Sequence, residues 1–201
     1  LTRAIDGRSS RRISSIEMTP SDLAGLRGCF RYFQWTRLLG LIEPGMQTAG
    51  GGQLNLGSLV HDILESGLEP SLEFLREKGV PDLQTVFQST EWQSLSKSDV
   101  ARELPFIMHM EVGGRECFVR GRMDAVISGN PPRVIDYKYA PWREGAESYY
   151  EVQMAAYCLA VMMRSSSERA VAELWFLKGS LRIVQQEFLR ADAERLIAGL
   201  L

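Results

Sequence analysis

Apolar positions follow two regimes along the chain, and the change comes at Glu103. Before it, apolar residues recur at helical spacing. In LNLGSLVHDILESGL, Leu56, Leu59, Val60, Ile63 and Leu64 share one side of a helix, with His61 inside it. After it, short β-rich runs take over: LPFIMHMEV, ECFVRGRMDAVIS and RVIDYKY. They are parted by the turn signals Val112-Gly113-Gly114 and Ser128-Gly129-Asn130-Pro131-Pro132. The first two runs predict a hairpin.

Thr19-Pro20-Ser21-Asp22 reads as a helix start, with Thr19 as N-cap and Pro20 at the first helical position. That helix runs on through LAGLRGCFRYFQWTRLLG, with a break near Gly28. Glu43 to Gln53 is a Gly-rich connection without the Lys and Ser/Thr of a phosphate-binding loop. Residues 70–101 predict two short helices split at Gly79-Val80-Pro81. A long helix is expected from about Glu147 to Arg164, with Val152, Ala155, Ala156, Leu159 and Val161 toward the core. AELWFLKG and LRIVQQEFL predict a second hairpin turning at Lys178-Gly179-Ser180, and a last helix starts near Ala191.

This order of helices, three strands, a helix, two strands and a helix predicts an α/β domain with a central mixed sheet flanked by helices. The expected organisation is a polar lead-in over residues 1–18 and a single domain over 19–201. Within the domain, 19–101 is mainly helical and 102–201 forms the α/β core. The lead-in, with Arg3, Arg8, Arg11 and Arg12, reads as a solvated tail.

Composition narrows the function classes. A chain of 201 residues with 45% apolar and 24% charged positions can bury a sizeable core. No apolar run reaches the ~20 residues of a membrane span, and no secretory signal is visible, so a cytoplasmic protein is expected. The chain lacks an initiator Met and stops inside a helical run, the pattern of a processed chain or of a domain from a longer polypeptide. A net charge of −2 argues against indiscriminate coating of nucleic acid, but leaves room for a local basic groove. Cys29, Cys117 and Cys158 have no zinc-ligand spacing and read as reduced, buried thiols.

The chemistry gathers around VIDYK. In an extended segment Asp136 and Lys138 point to the same face. Alone, such a pair is an ordinary surface ion pair of little energetic weight. Asp124, near the end of the preceding strand, changes that. On paired strands ~4.8 Å apart, Asp124 and Asp136 repel unless they share a proton or bind a cation. A hard divalent ion with carboxylate and phosphate oxygens suits such a place. Lys138 would then hold or activate a water beside it.

GRMDAVI, then VIDYK, then a helix carrying Gln153 and Tyr157 in EVQMAAY, resembles the PD-(D/E)XK nuclease superfamily, and within it the RecB-like branch. GSLVH (Gly57 to His61) resembles that branch's upstream G-x-x-x-H helix, RELPF its early acid at Glu103, and LAGLRGCFRYF its N-terminal helix. The likeness spans about Thr19 to Phe188. It implies a restriction-endonuclease-like core and a metal-dependent deoxyribonuclease, an exonuclease, using Mg²⁺ or Mn²⁺.

The resemblance also implies individual roles. His61, Asp124, Asp136 and the backbone carbonyl of Tyr137 would be metal ligands. Lys138 would position the attacking water or stabilise the transition state. Gln153 and Tyr157, one turn apart on one helix face, would orient Lys138 or touch DNA. Glu103 would be the early acid of the site. Apart from the resemblance, Trp142 and Arg143, just after VIDYK, read as residues that stack on or contact nucleic acid, with core or surface packing an equal reading for Trp142. Some relatives hold an iron–sulfur cluster through one early Cys and a C-terminal Cys trio. Cys29 sits where the early one would be, but no trio follows, so no iron–sulfur cluster is expected. The expected partners are DNA and a helicase region, in cis or in trans, since no Walker A motif lies in the chain. The work of such a machine is DNA repair and recombination. The alternative is an inactive nuclease-fold module that binds DNA or scaffolds other proteins.

Overall fold

The computed structural model describes residues 15–35, 56–112 and 114–201. The Gly-rich connection, the Arg-rich lead-in up to residue 14 and the end of the first predicted helix lie outside these. The elements are β1 (Ser15–Met18), α1 (Pro20–Gly28), α2 (Phe30–Phe33), α3 (Leu56–Ser66), α4 (Leu72–Glu77), α5 (Leu83–Phe87) and α6 (Thr90–Leu95). Then come β2 (Val100–Val112), β3 (Arg115–Ile127), β4 (Arg133–Lys138), α7 (Ala146–Ser165), β5 (Arg169–Phe176), β6 (Arg182–Leu189) and α8 (Arg190–Ala198).

Local chemistry accounts for most boundaries. Thr19 caps α1 by a reciprocal box with Asp22: its hydroxyl accepts from the Asp22 N–H, and the Asp22 carboxylate accepts from the Thr19 N–H. Cys29 takes an extended backbone and separates α1 from α2, at the break expected near Gly28. Residues 70–101 form three short helices rather than two. Ser89 is the reason: its hydroxyl accepts from the Trp92 N–H and starts α6 as a helix of its own. Residues 15–18, read from sequence as part of the polar lead-in, form a strand. Ile16 and Met18 alternate with Glu17, and the strand lies parallel to β3 from Ser15↔Glu116 to Met18↔Val119.

The sheet is six-stranded and mixed, in the order β1-β3-β4-β5-β6, with β2 along the other edge of β3. Both expected hairpins, β2–β3 and β5–β6, are antiparallel. β4 joins β3 antiparallel and β5 parallel. Helices cover both faces. The α7 face packs Val119, Met123, Val126, Val134 and Leu174 against α7, α1 and α8. The opposite face packs Ala125, Ile135, Tyr137 and Trp175 against α3 to α6. The result is the three-layered α/β architecture expected.

One irregularity positions the site. Along β3, Cys117, Val119 and Met123 face the α7 core, which is the odd-numbered side. Val126 then faces the same core, while Ala125 faces the other. Strict alternation cannot do both, so the phase flips between Met123 and Val126, at Asp124. The β2 residue opposite is Glu103, which is skipped in the ladder between Arg102↔Ala125 and Leu104↔Met123. Glu103 has φ of 49°, a left-handed conformation costly for a residue with a Cβ. The two acids sit together at this kink.

Candidate active site

β3 and β4 pair only from Ala125↔Ile135 to Ile127↔Arg133. Continued one step, the ladder would pair Asp124 with Asp136. Instead the Asp124 carboxylate takes the place of a backbone partner: its Oδ2 accepts from the Tyr137 N–H at 2.7 Å. The strands splay beyond this point. Asp124 Oδ1 is thereby held toward α3, 3.3 Å from His61 Nδ1.

His61, Glu103 and Asp124 converge. One donor atom from each lies within 4.8 Å of the others, close enough to share one cation. Glu103 reaches His61 Nδ1 at 4.0 Å and Arg122 at 3.3 Å. Burial and the neighbouring Asp124 charge raise the Glu103 pKa against the pull of Arg122. The His61 pKa is raised by its hydrogen bond to Asp124, which overcomes the opposing effect of burial. An imidazole and two carboxylates, with their anionic charge only partly offset, form a donor set that suits a divalent cation. The cleft over this group has a volume of about 480 Å³ and is also lined by Gly57, Ser58, Asp62 and Glu65 of α3.

Asp136 is the centre of a second cluster. It is buried, with Oδ2 2.6 Å from Lys138 Nζ and Oδ1 accepting from Gln153 Nε2 at 3.2 Å. Gln153 Nε2 also donates to the Tyr157 hydroxyl at 3.1 Å. Burial raises the Asp136 pKa, and the Lys138 ammonium only partly counters this. For Lys138, burial pulls the pKa down, but the Asp136 charge outweighs it and the net direction is up. The ammonium also lies 4.7 Å over the Tyr150 ring.

The residues singled out from sequence therefore fall into two adjoining groups. His61, Glu103 and Asp124 form the first; Asp136, Lys138, Gln153 and Tyr157 form the second. Asp136, expected among the metal ligands, is not one of the convergent trio and is engaged by Lys138 and Gln153. Tyr137 is tied to the site by its N–H, and its side chain is buried on the α3–α6 face of the sheet, its ring edge-on to that of His61 with centroids 6.3 Å apart. Arg143 is exposed in the loop after β4. Sequence reasoning passed over Arg122, which holds Glu103, and Asp62 and Glu65, which line the cleft. The helical spacing of Ser58, His61, Asp62 and Glu65 is the signal that finds the last two. A second cleft of about 510 Å³ lies on the α6 side of the sheet, around Glu173. Arg133 and Trp175 satisfy both oxygens of that carboxylate, so it is accounted for as structure.

The family model of the PD-(D/E)XK nuclease superfamily matches residues 17–199. The chain belongs to that superfamily. Its mixed sheet flanked by helices is the restriction-endonuclease-like fold of PD-(D/E)XK proteins. Among solved structures, the chain is similar to a candidate exonuclease from Eubacterium rectale. The TM-score is 0.50 at 14% identity, over 92% of this chain and 82% of that one. It is also similar to the protein SSO0001, with a TM-score of 0.47 at 18% identity, over 96% of this chain and 77% of that one. A search of curated proteins gives no match. In this PD-(D/E)XK chain, Asp124 lines the acidic cleft where β3 and β4 splay, and the Asp136–Lys138 pair lies on the adjoining strand β4. No helix among the described residues is long and apolar enough to cross a membrane.

Proposed function

We propose that the chain is a DNA exonuclease domain of the RecB-like branch, hydrolysing phosphodiester bonds with Mg²⁺ or Mn²⁺. The observation that carries this reading is the meeting of two groups: the convergent His61–Glu103–Asp124 trio and the buried Asp136–Lys138 pair. His61, Glu103 and Asp124 would hold the cation, with Asp136 at its border. The imidazole among the carboxylates makes Mn²⁺ as fitting as Mg²⁺. A cation bound there supplies positive charge to phosphate oxygens and acidifies a water.

The remaining chemistry belongs to the chain. Against the effect of burial, the Asp136 charge raises the Lys138 pKa. Its ammonium would act as a cation and hydrogen-bond donor, orienting a water or stabilising charge on phosphate. Asp136 holds that ammonium in place. Gln153 fixes the Asp136 carboxylate, and Tyr157 fixes Gln153. The chain acts as a single nuclease domain, its helical part supplying His61 and its α/β core the rest. We further read it as the cutting part of a helicase–nuclease that works on DNA in the cytoplasm during repair and recombination.

The test is cleavage of labelled single- and double-stranded DNA with Mg²⁺, with Mn²⁺ and with EDTA. The wild type should cleave only with metal. Asp136→Ala and Lys138→Ala should each be slower by about 100-fold or more, the scale for removing a preorganised charge from a reaction site. Equal cleavage by the variants would sink the assignment.

A further inference from the structure

Charge is divided across Lys138. On the α3 side the cleft is acidic, with Asp62, Glu65, Glu103 and Asp124. The two basic side chains on that side are engaged by acids: His61 faces Asp124, and Arg122 pairs with Glu103. The register shows what lies on the other side. Lys138 pairs with Phe176 of β5, and Phe176 pairs with Arg182 of β6. Directly opposed residues share a face, so Arg182 stands on the face of Lys138, two strands away, about 10 Å along the sheet.

Arg182 lies over the indole of Trp142, 5.1 Å from the ring centroid. Trp142 follows β4 closely and is 38% exposed, although it is a large aromatic residue. Tyr149, at the start of α7, is 61% exposed and packs edge-on against Tyr150, the ring under Lys138. The backbone ties these pieces together: the Leu177 N–H, at the β5–β6 turn, donates to the Lys138 carbonyl at 3.0 Å. Arg143, Lys178 and Arg182 are exposed. Among the described residues none of the three has an acidic partner, and Glu144 is the one acid in the Trp142–Arg143 loop.

We propose that Trp142, Arg182 and Tyr149 form a subsite for an unpaired DNA strand leading away from the cleaved phosphate. The inference rests on Lys138 being part of the nuclease site. Exposed rings beside unneutralised cations match how single strands are held: bases stack on aromatic faces and cations follow the phosphates. A base can stack on the exposed part of the indole while the exposed guanidinium beside it donates N–H groups to phosphate. In a duplex the base faces are already stacked, so such rings favour unpaired ends.

The experiment is fluorescence anisotropy of a labelled oligo-dT strand and of a blunt duplex, both in EDTA so that nothing is cleaved. Trp142→Ala should bind the single strand about 5- to 100-fold more weakly, the range for losing one base–aromatic stack. Trp142→Phe should restore most of the affinity, which a merely misfolded variant would not explain. Arg182→Ala should lower the slope of log affinity against log salt by about 0.7, one phosphate contact on a single strand. Duplex affinity should change much less in every variant. Unchanged single-strand binding by Trp142→Ala and Arg182→Ala overturns the subsite, as does an equal loss on both substrates. If that happens while Asp136→Ala still abolishes cleavage, the nuclease reading stands without the subsite. If Asp136→Ala cleaves normally while Trp142→Ala loses the single strand, the reverse holds.

Discussion

Asp124 Oδ2 accepts a hydrogen bond from the Tyr137 N–H at 2.7 Å, where β3 and β4 cease to pair. One carboxylate thus does two things. It replaces the missing strand partner with one oxygen and faces His61 with the other.

Those two roles separate by substitution. Asp124→Asn keeps a carbonyl oxygen for the Tyr137 N–H but loses the charge. It should fold nearly as well as the wild type and lose cleavage by more than about 100-fold, beyond what a mere supporting partner of a metal ligand costs. Asp124→Ala also abandons a largely buried donor. It should be less stable than Asp124→Asn by about 1–3 kcal/mol in denaturant unfolding. Equal stability of the two variants would show that the Tyr137 contact does not hold the splay.

Glu103 gives an independent test of the kink. At φ of 49° its backbone favours glycine, even though it sits inside a strand where glycine is ordinarily unwelcome. Glu103→Gly should therefore be more stable than Glu103→Ala by about 1 kcal/mol, judged from the cost of a left-handed residue with a Cβ. Both should lose metal affinity. If the alanine variant is the more stable, the left-handed backbone at this position is wrong.

The sequence made the local features legible and hid the long-range ones. The β-branched VI run before Asp136, the Thr19-Pro20 start and both hairpin turns carry their signals within a few residues, and each element stands where those signals put it. β1 does not. Its four residues pair with β3 about a hundred positions later, and nothing within SIEM announces that partner. The phase flip at Asp124 is also non-local, because it appears only once Met123 and Val126 are seen on one core. The same holds within the site. That His61, Glu103 and Asp124 group together while Asp136 turns to Lys138 depends on the kink, and neither side chain's identity encodes it.

The cysteines probe the layers away from the site. Cys117 and Cys158 are buried, and burial alone raises their thiol pKa values. A raised pKa means less thiolate at any given pH, and therefore slower reaction between pH 7 and 9. Cys29 is exposed. A thiol-reactive chromophore should therefore modify Cys29 rapidly in the folded chain, and all three cysteines only in denaturant. Rapid reaction of Cys158 would mean that α7 is not packed against the sheet as described.

The central claim is that His61, Glu103 and Asp124 hold one divalent cation beside Lys138. A crystal of the chain soaked in millimolar Mn²⁺ tests it most directly, through the anomalous signal of the metal. The account predicts one strong peak within coordination distance of all three side chains, and its loss in His61→Ala. A clean map at those residues, or a peak elsewhere that survives the substitution, would contradict it.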